Sequence, residues 1–449
     1  MADSFEVLTS VDIGSHTIKG MVFAVESNDT EVLAYSRVKS RGFEQGELKD
    51  IVALKESLQS LLEDLSGQLP RRMESYFIIS FVEKTTFLTE EIKTITIGNG
   101  TVQNITDEHV MEIYSKISSE NIEEYDDGYS DGFEPVSSSR NILHAIPQNY
   151  ILDGVKSVLN PIEMEASTLG IKASVITIES TIKDSLSNAF GGLVGGEKPI
   201  VYSSPFVSSM VVLNGMEKER GVVCLDLGHS YTSICSYMNG SIFYMKSIEQ
   251  GIKQVIKDIA QVFHTSFDEA ERLLNTYGKV ALKDTSSETI SYVTLDGKTT
   301  KQITTAQLSI VIYAKVREIL NLIKREIRVV NNKMLEEGEN GIPGGFVITG
   351  GGSKIEGMIE FIREVFKVSV RVGHIGTGSF VPKYPDDLED AVFSGCFGNI
   401  YWYKLAGGFE NVETVDKTDK KRKRRAAAKP EKQGNNTFDK ILNFLKKLV

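Results

Sequence analysis

Two apolar runs open the chain: FEVLTSVDIG and TIKGMVFAV, within residues 5–25. They are dense in β-branched residues and parted by a short polar turn, which predicts a pair of strands. IVALKESLQSLLEDL (51–65) spaces its apolar positions as one face of a helix, and SYFIISF (75–81) reads as a buried strand. From about 84 to 163 the pattern shifts to short strands and loops, with one helical piece near 107–119 and an acidic Gly/Ser-rich loop at 121–139. This stretch predicts a small inserted domain. Residues 166–190 return to strand then helix, and GVVCLDLG, TSICSYM and SIFYMKSI follow as three strands, the last turn being Asn239-Gly240. Helices are expected over 250–264 and after Ser266, where Ser266 and Glu269 have capping-box spacing. After a β-rich excursion at Asp296-Gly297 comes a long helix over roughly 305–337, and GFVITGGGSKIEGMIEFIREVF reads as strand, glycine loop, helix. Beyond about 405 the pattern gives way to a charged linker and one short amphipathic segment.

Composition narrows the class. At 449 residues the chain is too long for one ordinary core, so two or more domains are expected. Cys224, Cys235 and Cys396 are the only cysteines, none at metal-ligand spacing, and read as small core hydrophobes in a reducing compartment. No basic-then-apolar leader opens the chain, and no stretch approaches 18 consecutive apolar residues. A cytoplasmic chain that does not cross a membrane is the expectation. The net charge of −11 conceals an asymmetry: residues 412–449 hold 12 Lys+Arg against 5 Asp+Glu, so +7 there and −18 elsewhere. An acidic body argues against nucleic acid as a partner, while a basic tail suits an anionic membrane surface.

The chemistry concentrates in three glycine-bearing turns. Asp12-Ile13-Gly14-Ser15-His16-Thr17-Ile18-Lys19 recurs in altered form 214 residues later as Asp226-Leu227-Gly228-His229-Ser230-Tyr231-Thr232. Each has an aspartate at a strand end and a glycine in a turn of small hydroxyl residues, where successive N–H groups form a nest for phosphate oxygens. Asp12 and Asp226 suit a hydrated Mg²⁺, and Lys19 suits a phosphate. Thr349-Gly350-Gly351-Gly352-Ser353, between strand and helix, lets a flat adenosine approach the backbone. Two similar turns followed by this third element point to paired domains closing on ATP. His16 and His229 fall in the turns and read as neutral residues packed beside the nucleotide. His109, His144, His264 and His374 lack metal-ligand spacing.

In this order the motifs resemble the actin, heat-shock chaperone and sugar kinase superfamily. SRGFEQGELKD (40–50), ILHAIPQNYILDGVKSVLNPIEMEAS (142–167) and the terminal amphipathic segment are similar to the FtsA family, and the resemblance covers residues 8 to 400 and 437–449. It implies a two-lobed α/β actin-like fold of duplicated mixed-sheet domains with an inserted small α+β subdomain, 1C. Subdomain 1A would be 1–84 with 164–200, 1C 85–163, 2A 201–231 with 306–400, and 2B 232–305. A disordered basic linker at 401–436 and a membrane-targeting helix at 437–449 would complete the chain. The resemblance further implies ATP and Mg²⁺ as cofactors, with Lys253 and Glu271 as ribose or adenine contacts. It implies self-assembly into protofilaments and recruitment of the C-terminal tail of tubulin-like FtsZ to the cytoplasmic face of the membrane at the septum. Lys298, Lys301, Lys315 and Arg317 are candidates for holding that acidic tail.

One departure bears on turnover. Hydrolysing members of the superfamily place Glu or Gln after a phosphate-side strand of the second domain, whereas Ser203-Ser204-Pro205-Phe206-Val207-Ser208-Ser209-Met210 has no carboxylate or amide. ATP hydrolysis is therefore expected to be very slow at most, with no catalytic residue assigned. In the terminal segment, Phe438, Ile441, Leu442, Leu445, Leu448 and Val449 fall on one helical face with Phe444 at its edge. At about 20 Å this helix is too short to span a bilayer and is expected to lie in the interface. The rival reading is a PilM-like actin-fold scaffold of a type IV pilus machine. It shares the fold but docks on a partner's peptide. A sugar or acetate kinase would need a catalytic aspartate that no motif supplies.

Overall fold

A computed structural model describes residues 6–26, 29–70, 75–118, 122–123, 139–281, 287–336, 338, 341–376, 380–386, 388 and 391–406. The described parts of 1–86 and 184–399 form one compact unit, and those of 87–183 and 400–406 a second.

The first unit holds two five-stranded mixed sheets. Strands β1 (Glu6–Ile13), β2 (Thr17–Val25) and β3 (Thr30–Lys39) form an antiparallel meander. Helix α1 (Ile51–Gln68) then crosses to β4 (Tyr76–Phe81), which runs parallel to β1. Strand β5 (Ile200–Ser203) adds to β4, giving the order β5-β4-β1-β2-β3. Asp50 starts α1 by accepting from the N–H groups of Val52 and Ala53. Leu54, Leu58, Leu61 and Leu65 bury one face of α1, each worth about 1.5–3 kcal/mol. Gly20 of β2 is required beneath that helix, because a Cβ there would lie 2.8 Å from Leu65. Helix α2 (Ser204–Val212) follows β5 directly and is buried all round.

The second sheet repeats the plan. Strands β6 (Val222–Leu227), β7 (Thr232–Met238) and β8 (Ser241–Ile248) form the meander. Helices α3 (Ile252–Phe263), α4 (Phe267–Tyr277) and α5 (Thr305–Glu336) lead to β9 (Phe346–Thr349), parallel to β6. Helix α6 (Met358–Phe366), strand β10 (Val370–Val372) and helix α7 (Ser394–Ala406) follow. The sheet order is β8-β7-β6-β9-β10. Central β6, β7 and β9 are buried almost throughout, as strands covered on both faces must be. Ser266 caps α4 as expected, but Glu269 turns to Arg272 at 2.7 Å and to the Val293 N–H at 3.1 Å, so only half of the capping box forms. Cys224 and Cys235 face each other across β6–β7 as free, buried thiols, and Cys396 is likewise buried.

The second unit is an antiparallel sheet of strands Lys156–Val158, Ser139–Leu152, Thr168–Glu179 and Phe87–Thr96, with helix Asp107–Ser118 packed on it. Val110, Ile113, Tyr114 and Ile117 form the buried face of that helix.

Four expectations need correction. Strand Thr168–Glu179 belongs to the insert's sheet, pairing with two of its strands, so the insert runs past 163. Strand β5, expected in the second lobe, joins the first sheet, and Ser203–Met210 therefore follows a strand of the first lobe. Strands β7 and β8, expected in 2B, belong to the second lobe's main sheet. Helix α7 continues through 401–406, with Trp402 buried, so no linker begins at 401. Residues 407–436 and 437–449 lie outside the described residues.

Candidate functional site

The β1–β2 and β6–β7 turns face a common cavity of about 390 Å³, with Gly350–Gly352 on a third side and α4 on a fourth. Asp12, Gly14, Ser15, His16, Thr17 and Lys19 line it from the first turn; Asp226, Gly228, His229, Ser230 and Tyr231 line it from the second. Glu271 lines it from α4. Three expected residues do not. Thr232 is buried with Oγ1 donating to the Gln250 carbonyl at 2.8 Å, and Ser353 Oγ donates to the Gly350 carbonyl at 2.6 Å. Lys253 supports the second turn through its backbone, its N–H donating to the His229 carbonyl at 2.8 Å. The sequence reading missed Arg37, Ser204, Ser233, Asn275 and Lys354, and the apolar Val82, Ile252, Ile256 and Val392. Ser233 and Lys354 directly follow the predicted turns, whereas the others carry no local signature and reach the cavity through the packing of elements apart from those turns.

Glycine is needed where the turns close. A Cβ on Gly14 would lie 2.7 Å from the Thr17 carbonyl oxygen, and one on Gly228 2.8 Å from that of Tyr231. Gly350 has φ +77°, and a Cβ there would sit 2.2 Å from Asp226 Oδ1. No atom of the described residues lies within 4 Å of where a Cβ on Gly351 would sit, so a side chain there would enter open space at the cavity wall.

The electrostatics of the two aspartates differ. Lys19 Nζ lies 2.8 Å from Asp12 Oδ2, while Ser204 Oγ donates to Asp12 Oδ1 at 2.8 Å. Burial alone would lower the Lys19 pKa, but the Asp12 carboxylate outweighs it and holds the ammonium above its ordinary range. Asp226 is pushed up to about 6, first by burial and then by the Asp12 charge, with Lys19 opposing both. Burial, then His16 and Lys253, lower His229 to about 3, so it is neutral at physiological pH. Its ring stacks on His16 with centroids 4.4 Å apart, and His16 Nε2 lies 2.8 Å from Glu271 Oε1. Tyr231 Oη donates to the Gln45 carbonyl at 2.7 Å, tying the second turn to the 43–48 hairpin of the first lobe. Ser230 Oγ is buried and has no hydrogen-bond partner among the described residues. Among the described residues no group of three or more His, Cys, Asp and Glu is arranged to hold a metal by itself.

Away from the cavity, Lys298, Lys301 and Arg317 are exposed, but Lys315 Nζ already lies between Asp258 at 3.3 Å and Glu318 at 2.6 Å. Phe438, Ile441, Leu442, Phe444, Leu445 and Leu448 lie outside the described residues. No helix among the described residues is long and apolar enough to cross a membrane.

Comparison with known proteins agrees with this architecture. The family profile described as cell division protein FtsA matches residues 223–396, and that of the SHS2 domain inserted in FtsA matches 88–177. FtsA of Borreliella burgdorferi is 28% identical over 433 residues, covering 95% of this chain and 97% of that protein. FtsA of Bacillus subtilis is 27% identical over 373 residues, covering 82% and 78%. Among solved structures, a PilM–PilN type IV pilus biogenesis complex matches with TM-score 0.58 at 15% identity, covering 88% of this chain and 98% of that one. MreB5 of Spiroplasma citri bound to ADP matches with TM-score 0.51 at 11% identity, covering 91% and 99%. The structural likenesses establish the actin-like fold; the two profiles and the near full-length relatives establish the family, and the chain belongs to the FtsA family of cell-division proteins.

Proposed function

We propose that the cavity binds ATP with Mg²⁺, and that the protein polymerises and tethers the FtsZ ring to the inner face of the cytoplasmic membrane at the septum. The observation that carries the nucleotide reading is the convergence of two equivalent Asp-x-Gly turns on one cavity, closed by Gly350–Gly352. The lining suits a phosphate chain: a buried Ser230 hydroxyl with no partner among the described residues, a turn nest on either side, and the Lys19 ammonium. Asp12 and Asp226 would hold Mg²⁺ through water, and the cation would offset phosphate charge. Two carboxylates suffice for that, because the phosphates and water supply the remaining ligands. Gly351 leaves space for the nucleoside, with Glu271 and Asn275 at hand for its hydroxyls. Turnover should be slow: Ser203–Met210, although it follows a strand of the first lobe, brings no carboxylate or amide to the cavity, and the Ser204 hydroxyl that lines it is engaged by Asp12.

The tether rests on the family and on sequence. The pattern of 437–449 is that of an interfacial helix, and the preceding basic run adds attraction to anionic lipid. For an acidic FtsZ tail, exposed Lys298, Lys301 and Arg317 are the better candidates, since Lys315 would have to leave two carboxylates. A PilM-like scaffold shares the fold but is less favoured, because both profiles are FtsA profiles and a scaffold docked on a peptide has no use for the terminal helix.

Calorimetry with ATP and Mg²⁺ on the wild type and Gly351→Trp tests the site. The tryptophan should abolish binding, and equal affinities would sink the assignment. Cosedimentation with anionic liposomes should be lost on deleting 437–449; a truncated protein that still pellets at moderate salt has another anchor.

A further inference from the structure

Behind Asp12 lies a chain of small polar groups that none of the three turns accounts for. Asn399 of α7 is fully buried, and its Nδ2 donates to Ser10 Oγ and to Ser80 Oγ, both at 3.0 Å. Ser10 Oγ donates onward to the Cys396 carbonyl at 2.9 Å, and Ser80 Oγ to Asp12 Oδ1 at 3.4 Å. Ser10 and Ser80 are also fully buried. The directions are dictated by chemistry. An amide nitrogen only donates, and both of its hydrogens are used here; each serine oxygen accepts one, so its single hydrogen must point onward. The Ser80 hydroxyl is thereby pinned towards the carboxylate. Meanwhile, among the described residues, the buried Asn399 Oδ1 has no hydrogen-bond partner, an unsatisfied group that calls for an explanation. Helix α7 also lies directly against Asp12, since a Cβ on Gly395 would be 2.8 Å from the carboxylate carbon.

We propose that Asn399 is a positioning residue for Asp12: through Ser80 it fixes the carboxylate in the orientation that receives a hydrated divalent cation with its nucleotide. This rests on the nucleotide reading of the cavity. Leucine at 399 would keep most of the volume and free the Ser80 hydroxyl to rotate. Aspartate there could not donate, and the direction of the chain would be lost.

The test is calorimetry of ATP on the full chain, once with Mg²⁺ and once with EDTA, for the wild type, Asn399→Leu, Ser80→Ala and the double variant. Each single change should cut the Mg²⁺-to-EDTA affinity ratio about tenfold, the usual effect of losing a group that orients a metal-binding side chain. Affinity in EDTA should hold. The double variant should fall no further than either single one, because both changes break one chain. Parallel losses in Mg²⁺ and EDTA, or additive losses in the double variant, would overturn the positioning role. Should Asn399→Leu not fold, Ser80→Ala alone decides: an unchanged ratio overturns the role and a selective loss supports it. A wild type that binds ATP equally in Mg²⁺ and EDTA would overturn the Mg²⁺ assignment itself, and this inference with it.

Discussion

The two Asp-x-Gly turns have the same shape and different electrostatics. Their glycines meet the same obstacle, a carbonyl three residues on, at 2.7 and 2.8 Å. In the first, Asp12 pairs across the strands with Lys19; in the second, the residue opposite Asp226 is Ser233. A cation in the first hairpin thus becomes a hydroxyl in the second, itself bonded to Ser247 at 2.8 Å. Asp12 is compensated within the protein, and Asp226 is left to burial and to the charge of Asp12, which is why its pKa rises to about 6. The duplicated backbone makes a cradle twice, but the charges are arranged once. A bound cation would complete the second half.

Replacing the two aspartates gives the largest expected contrast. Asp12→Ala removes the carboxylate 2.8 Å from the half-buried Lys19 ammonium and should cost about 1–3 kcal/mol in chemical denaturation without nucleotide. Asp226→Asn should do the reverse. Relief of a pKa raised from 3.8 to about 6 corresponds to about 2–3 kcal/mol gained at pH 7, while Mg²⁺-dependent ATP affinity falls. If both variants lose stability alike, the contrast is broken. Next comes the shape. Gly14→Ala and Gly228→Ala should destabilise by similar amounts, about 1–3 kcal/mol each, and a gap larger than that range would show that the turns are not equivalent.

The pH dependence is the subtlest effect. The raised pKa of Asp226 means that its proton stabilises the fold below about pH 4, and that this is lost as pH rises through about 6. His229, lowered to about 3, works the other way: the unfolded chain takes up a proton near 6.5 that the folded one refuses, so stability falls with pH from there downward. Between about pH 4 and 6 the two oppose. Wild-type denaturation midpoints should therefore be flatter with pH than those of Asp226→Asn, which should climb steadily from pH 4 to 6.5. Parallel profiles for the two proteins would mean that Asp226 titrates as an ordinary carboxylate.

Much of this was legible in one dimension, because strand and helix periods, turn glycines and the recurrence of Asp-x-Gly are local properties. The paired strands at the start, α1, the meander after Gly221 and the long α5 lie where the apolar spacing puts them. Partnership between strands is not local, and there the reading slipped. Thr168–Glu179 and Ile200–Ser203 are both strands, yet one joins the insert and the other the first sheet. Helix α2, buried all round, has no amphipathic period to show.

The sequence by itself determined the repeated turns, their glycines, the missing amide or carboxylate at 203–210 and the basic tail, since each follows from residue type and spacing. Only the tertiary structure decided what those residues experience. It set Ser204 on Asp12 from 192 residues away, Glu271 on His16, and Asn399 behind Ser80 from 319. Burial and Coulomb interaction depend on distances in space, and chain order does not record them.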